Sequence, residues 1–212
     1  MVGEFVIIMI GATMLAMSFT SRIHAVIRAL ALQGVLLFVL VLDDAHAFDT
    51  LNLIFLVIET LIVKAIIIPV FLQRIIVRNH IYREIEPYIP NFYSLLVASC
   101  ILGGGFLLEH LARGVTSGTK PLALGVSLAV IVTALFLVVS RKKLITHVLG
   151  FLAMENGIFM LTMAVAREHT FAVNVGLLLD VFLAVFLLGL FMNRIASSYE
   201  EMSVDELSGL KD

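Results

Sequence analysis

The chain of 212 residues is 61% apolar and only 14% charged, with a formal net charge of −2. Soluble domains carry roughly 45–50% apolar and about 25% charged residues, and a chain this small has too little interior to hide the excess. Lipid must be the solvent for most of it. That excludes a soluble enzyme, and the near-neutral charge excludes a basic field for nucleic acid.

A helix needs about 20 apolar residues to cross a bilayer core. Such stretches are predicted over 2–20, 23–42, 51–72, 92–112, 121–140, 144–166 and 171–192. The first opens Met-Val-Gly-Glu-Phe, with no basic n-region, and reads as a retained span rather than a cleaved signal peptide. Asp43-Asp44-Ala45-His46 closes the second. The third contains Glu59, Lys64 and Pro69; the proline cannot donate to the carbonyl of Ala65 and should loosen the helix beside Lys64. Arg74 to Pro90 is the longest polar stretch and holds Pro87. The fourth span carries Cys100, read as a small buried hydrophobe, and Gly103-Gly104-Gly105, which permit close helix approach. Pro121 suits the first turn of the fifth helix. Arg141-Lys142-Lys143 divides the fifth span from the sixth, and Arg167-Glu168-His169 divides the sixth from the seventh. The tail over 193–212, with Glu200, Glu201, Asp205 and Glu206, reads as an acidic cytoplasmic extension of a transmembrane domain over 1–192.

The basic residues predict orientation. Arg22, Arg28, Arg74, Arg78, Arg83, Arg141, Lys142, Lys143, Arg194 and Lys211 fall on one side of these spans; Arg113, Lys120 and Arg167 fall on the other. The richer side should face the cytoplasm, which places the N-terminus outside and the C-terminus inside, in a multi-pass protein of the cell (inner) membrane.

Spans two and three resemble spans six and seven. Leu30-Ala31-Leu32-Gln33-Gly34 aligns with Leu152-Ala153-Met154-Glu155-Asn156-Gly157 with one residue inserted, and the segment Asn52 to Glu59 aligns with Asn174 to Asp180. The expected fold class is an all-α integral membrane protein of seven transmembrane helices. Two parallel three-helix repeats, about 2–72 and 121–192, are joined by a linking helix over 92–112, and the repeat axis lies along the membrane normal.

A charge at the bilayer centre costs about 2.5–3.5 kcal/mol even on the mild insertion scale. At about 1.5 Å of rise per residue, Gln33, Glu59, Glu155 and Asp180 each lie about 15–18 Å inside their spans, near the midplane. Lys64 follows Glu59 by five residues, about 140° around a regular α-helix, so the two are not expected to pair. Lys64 then needs a carboxylate on a neighbouring helix or subunit. A set of carboxylates and a lysine at one depth suits a proton relay, because small changes in hydration or in a partner's charge load and unload a buried carboxyl. The bland reading is that these groups only lock helices together through hydrogen bonds. Asn156 and Asn174 are candidate supporting groups, as are Arg28 and His147, but cap and packing roles suit the two asparagines equally well. No catalytic residue, metal site or cofactor is assigned to the chain. The single cysteine rules out an internal disulfide and a four-thiolate cluster, and the six histidines lack metal-ligand spacing.

The segments Ile58-Glu59-Thr60-Leu61-Ile62-Val63-Lys64-Ala65-Ile66-Ile67-Ile68-Pro69 and Leu152-Ala153-Met154-Glu155-Asn156-Gly157-Ile158-Phe159 resemble the component E family of hydrogenase-4, membrane subunits of formate-hydrogenlyase-type complexes. The last three spans are also similar to the K-type subunit of respiratory complex I. That subunit has two intramembrane glutamates on successive helices. Glu155 matches the first position and Asp180 the second, one methylene shorter. In the first repeat Glu59 matches the second position and Gln33, which cannot act as an acid, replaces the first. The resemblance implies a non-catalytic subunit in the membrane arm of a group 4 nickel–iron hydrogenase complex. It would sit beside antiporter-like membrane subunits and other subunits of the arm, move protons or Na⁺, and leave redox chemistry to peripheral subunits. Two alternatives are a scaffold without its own ion path and a subunit of a Mrp-type cation/proton antiporter.

Overall fold

The computed structural model describes residues 2–78, 88–113 and 120–165, together with 182, 186 and 189. These form α1 (Val2–Phe19), α2 (Ile23–Asp43), a short turn of 3₁₀-helix (Ala45–Ala47), α3 (Thr50–Val57), a π-helical segment (Ile58–Ile67), α4 (Ile68–Arg78), α5 (Asn91–Ala112), α6 (Pro121–Ser140) and α7 (Leu144–Val165). The segments α3, π and α4 are continuous over Thr50–Arg78, so six helices among the described residues are long and apolar enough to cross a membrane. Their bounds follow the predicted spans closely, except that the third runs on to Arg78 rather than stopping at 72. Of the predicted seventh span, 171–192, only Phe182, Phe186 and Gly189 are described, and they are helical. The rest of that span, with Asp180 and Asn174, lies outside the described residues, as does the tail over 193–212, so the second repeat is not described in full.

Lipid is as apolar as a leucine side chain, so a hydrophobic stripe cannot tell these helices which face to bury; small residues do so by letting backbones approach. The fifth span shows it. Helix α6 buries Ala123, Gly125, Ser127, Ala129, Thr133 and Ala134 and packs against α1, α5 and α7. At its crossing with α5 the glycines Gly105 and Gly125 face each other: a Cβ on Gly105 would stand 2.6 Å from the Gly125 carbonyl oxygen. Of the Gly103-Gly104-Gly105 run only Gly105 makes this contact, because Gly103 and Gly104 meet nothing within 4 Å. The same turn of phase puts Cys100 on the exposed face of α5. The expectation of a buried cysteine is therefore corrected: α5 buries only Ser94, Ala98, Gly105 and Glu109.

Successive spans run in opposite directions, and polar contacts tie their ends. At one end Lys120 pairs with Asp44, and its amide donates to the Ala164 carbonyl (3.3 Å). At the other end Arg141 is nearly buried, at 3% exposure. Its Nη2 donates to the Ser18 carbonyl (3.0 Å) and its Nη1 to Asn91 Oδ1 (3.4 Å). Asn91 Nδ2 in turn donates to Ser21 Oγ (2.5 Å). Arg141 thus gathers the ends of α1, α5 and α6. No described carboxylate pairs with it, and burial pushes the guanidinium pKa below its ordinary value.

Candidate functional site

The third span is not a uniform α-helix, and that decides its chemistry. Pro69 has no amide hydrogen, so an α-type bond to the Ala65 carbonyl cannot form. Directly before it the ladder widens, and the Ile68 amide reaches back five residues to the Val63 carbonyl. Wide turns of this kind are uncommon and often accompany functional positions. In the widened segment residues five apart come onto one face. Lys64 Nζ stands 3.6 Å from Glu59 Oε1, at 3% and 0% side-chain exposure. This corrects the expectation that the two could not pair, which assumed regular α-helical phase.

Lys64 also finds the carboxylate on a neighbouring helix. Its ammonium donates to Glu155 Oε1 of α7 at 2.7 Å, and it lies 4.5 Å from the ring centroid of Phe159, one turn further along α7. The approach is possible because α2 carries Gly34 at this level. A Cβ there would lie 2.8 Å from the Ala65 nitrogen and 2.9 Å from the Lys64 carbonyl carbon. No side chain fits at this position of α2.

Glu59 is fully buried, yet neither of its carboxylate oxygens receives a hydrogen bond. The neighbouring Thr60 hydroxyl donates to the Leu56 carbonyl (2.7 Å) and is not aimed at it. The cluster holds two buried carboxyl groups and one ammonium in contact, a juxtaposition that a bilayer tolerates only when the partners are present.

A second polar chain lies alongside. Asn156 Nδ2 donates to Gln33 Oε1 (3.0 Å), Gln33 Nε2 donates to Thr13 Oγ1 (2.8 Å), and that hydroxyl donates to the Ile10 carbonyl (2.6 Å). This chain joins α7, α2 and α1 at the depth of the Lys64 cluster, since Asn156 follows Glu155 and Gly34 follows Gln33. The structure thus brings together Glu59, Lys64, Glu155, Gln33 and Asn156. Arg28 is exposed on α2, and His147 is half-buried in the first turns of α7; neither reaches the cluster. Asp180 and Asn174 lie outside the described residues.

Two buried charges were not singled out from the sequence. Glu109, at 8% exposure, pairs with Arg113 at the end of α5, and its spacing of four residues from Arg113 was the available signal. Arg141 is the other; nothing in the run Arg141-Lys142-Lys143 distinguishes the buried residue from its neighbours. Among the described residues no group of three or more His, Cys, Asp or Glu could hold a metal ion.

No family model matches the chain, and no solved structure matches it. Among characterised and uncharacterised proteins it is 28% identical over 191 residues to the uncharacterized protein Rv0085 of Mycobacterium tuberculosis, covering 90% of this chain and 87% of that one. It is 27% identical over 122 residues to hydrogenase-4 component E of Escherichia coli, covering 58% of this chain and 56% of the relative. The protein of that name in Shigella flexneri matches to the same extent. The match therefore spans little more than half the length of the hydrogenase-4 relatives.

Proposed function

We propose that the chain is a membrane-arm subunit of a complex I-like group 4 hydrogenase or formate hydrogenlyase complex. In this reading it contributes Glu59, Lys64, Glu155 and Asp180 to proton or Na⁺ translocation driven by redox chemistry in other subunits. One observation carries the reading. A lysine buried at mid-span contacts carboxylates on its own helix and on a neighbour, at 3.6 and 2.7 Å. Groups of that kind inside a membrane are expensive and mark ion paths by default. The likeness to hydrogenase-4 component E supports the choice of host complex. The seven-span, two-repeat architecture and the outside-to-cytoplasm orientation belong to the same proposal. So do the absence of a cofactor of its own and contacts with antiporter-like subunits.

The test is to replace Glu59 and Glu155 together by Gln in the assembled complex. Substrate turnover is expected to continue while ion movement into inverted vesicles is lost. Undiminished transport in the double variant refutes the reading.

A scaffold role is the second reading, and the Asn156–Gln33–Thr13 chain favours it. Those groups satisfy one another directly across three spans, as interhelical locks do. On that reading the double variant assembles and transports normally.

A further inference from the structure

We propose that Lys64 sets the ion specificity of the buried cluster: its ammonium fills the place between Glu155 and Glu59 that a monovalent metal cation would need, so the site exchanges protons and excludes Na⁺. The inference rests on the reading of Glu59 and Glu155 as ion-carrying groups and goes on to name the ion.

Hard cations are held by several oxygen ligands at short range. In this cluster the oxygens that could supply them converge on Lys64 Nζ, which takes Glu155 Oε1 at 2.7 Å and faces Glu59 Oε1 at 3.6 Å. The Phe159 ring stands 4.5 Å from the ammonium and presents an aromatic face that suits a cation already in place. The backbone of α2 closes on the wide segment at Gly34, at a distance that excludes even a methyl group. A metal ion entering between the carboxylates would meet a fixed positive charge at contact distance.

A proton carries the same charge but needs neither a coordination shell nor the space for one: it bonds to a single carboxylate oxygen. Among the described residues, two carboxylates and one ammonium carry one net negative charge, which a single proton neutralises. Glu59 can take it: neither of its buried oxygens accepts a hydrogen bond, and Lys64 approaches Oε1 only to 3.6 Å. Lys64 then serves as a built-in counter-ion that shifts its weight toward whichever carboxylate is ionised.

The test uses the full chain in membrane vesicles and dicyclohexylcarbodiimide, a lipophilic reagent that couples to protonated carboxyl groups. Labelling of Glu59 and Glu155 is read by mass spectrometry in about 100 mM NaCl and in equimolar choline chloride. The wild type is expected to label at the same rate in both salts. In Lys64→Ala, where the cation's place is vacated, NaCl is expected to slow labelling about fivefold or more by occupying the site, as a ligand at several times its dissociation constant would. Lys64→Arg, which keeps the charge, is expected to remain indifferent to Na⁺.

Protection of the wild type by Na⁺ overturns the proposal, and this arm stands even if Lys64→Ala fails to fold. Indifference of a folded Lys64→Ala overturns it too, as does the absence of labelling in either salt. The underlying reading fails separately: labelling as expected, together with intact transport when both glutamates are replaced by Gln, would mean a proton-selective site that lies off the transport path.

Discussion

Lys64 crosses a sequence separation of 91 residues to place its Nζ 2.7 Å from Oε1 of Glu155. The contact joins the third span to the sixth at mid-depth and stands on three separate features. The wide π-helical segment turns Lys64 and Glu59 onto one face. Gly34 lets α2 settle against that segment. Phe159 caps the ammonium from the α7 side.

Removing one partner of a buried pair leaves a charge without compensation, at about 3–5 kcal/mol. Lys64→Met keeps the length and removes the charge, so a loss of stability of about that size is expected, read as a lowered unfolding midpoint in mild detergent.

The two glutamates should not be equivalent. Glu155 accepts a bond from Lys64, whereas neither oxygen of Glu59 accepts one. Glu155→Gln weakens a charge-assisted bond and is expected to cost about 1–3 kcal/mol. Glu59→Gln is expected to be within about 1 kcal/mol of the parent. Denaturation of the two single variants side by side decides the order.

Gly34→Ala is expected to destabilise by about 1–3 kcal/mol through overpacking against the backbone of Lys64 and Ala65. It should also push Lys64 away from Glu155. Gly104→Ala is the control: with open space around Gly104, the change is expected to be neutral or to gain up to about 1 kcal/mol from helix propensity. Unfolding midpoints of the two variants, each compared with the parent, check both signs.

Arg141 spreads two nitrogens over the Ser18 carbonyl and Asn91 Oδ1. Lysine concentrates its charge at one point and cannot reproduce that fork. Arg141→Lys is therefore expected to recover little of the stability lost in Arg141→Met, about 1–3 kcal/mol. Proteolytic nicking near 88–91 and 141–143 would report the loosened end.

Six of the predicted spans were legible because about 20 apolar residues bounded by charges have few other fates in a chain of this composition. The common depth of Gln33, Glu59 and Glu155 was legible from helix rise alone, and the contacts among these groups place them at one level. The partnership of Glu59 with Lys64 was not, because counting 100° per residue presumes an unbroken α-ladder, and Pro69 breaks the presumption from the C-terminal side. That Lys64 needs a carboxylate elsewhere followed from its depth; that Glu155 supplies it depends on how α2, α7 and the third span pack, which no local pattern encodes. Glu109 was passed over because a carboxylate beside Arg113 reads as the polar end of a span. Cys100 was misplaced because an apolar run is the same on its lipid face as on its protein face.

The wide segment over 58–67 also changes what a single deletion would do. A π-turn holds more residues than an α-turn, so this stretch stores slack in the chain. Removing one residue would let the ladder tighten toward α, and the helix on one side of the cut would swing about its own axis relative to the other. If the residue removed lies on the C-terminal side of Lys64, Glu59 and Lys64 keep their separation of five on an α-type ladder and part company without either being mutated; if it lies between them, the separation becomes four and they still face each other, so the two deletions together probe their alignment more sharply than a substitution at either position.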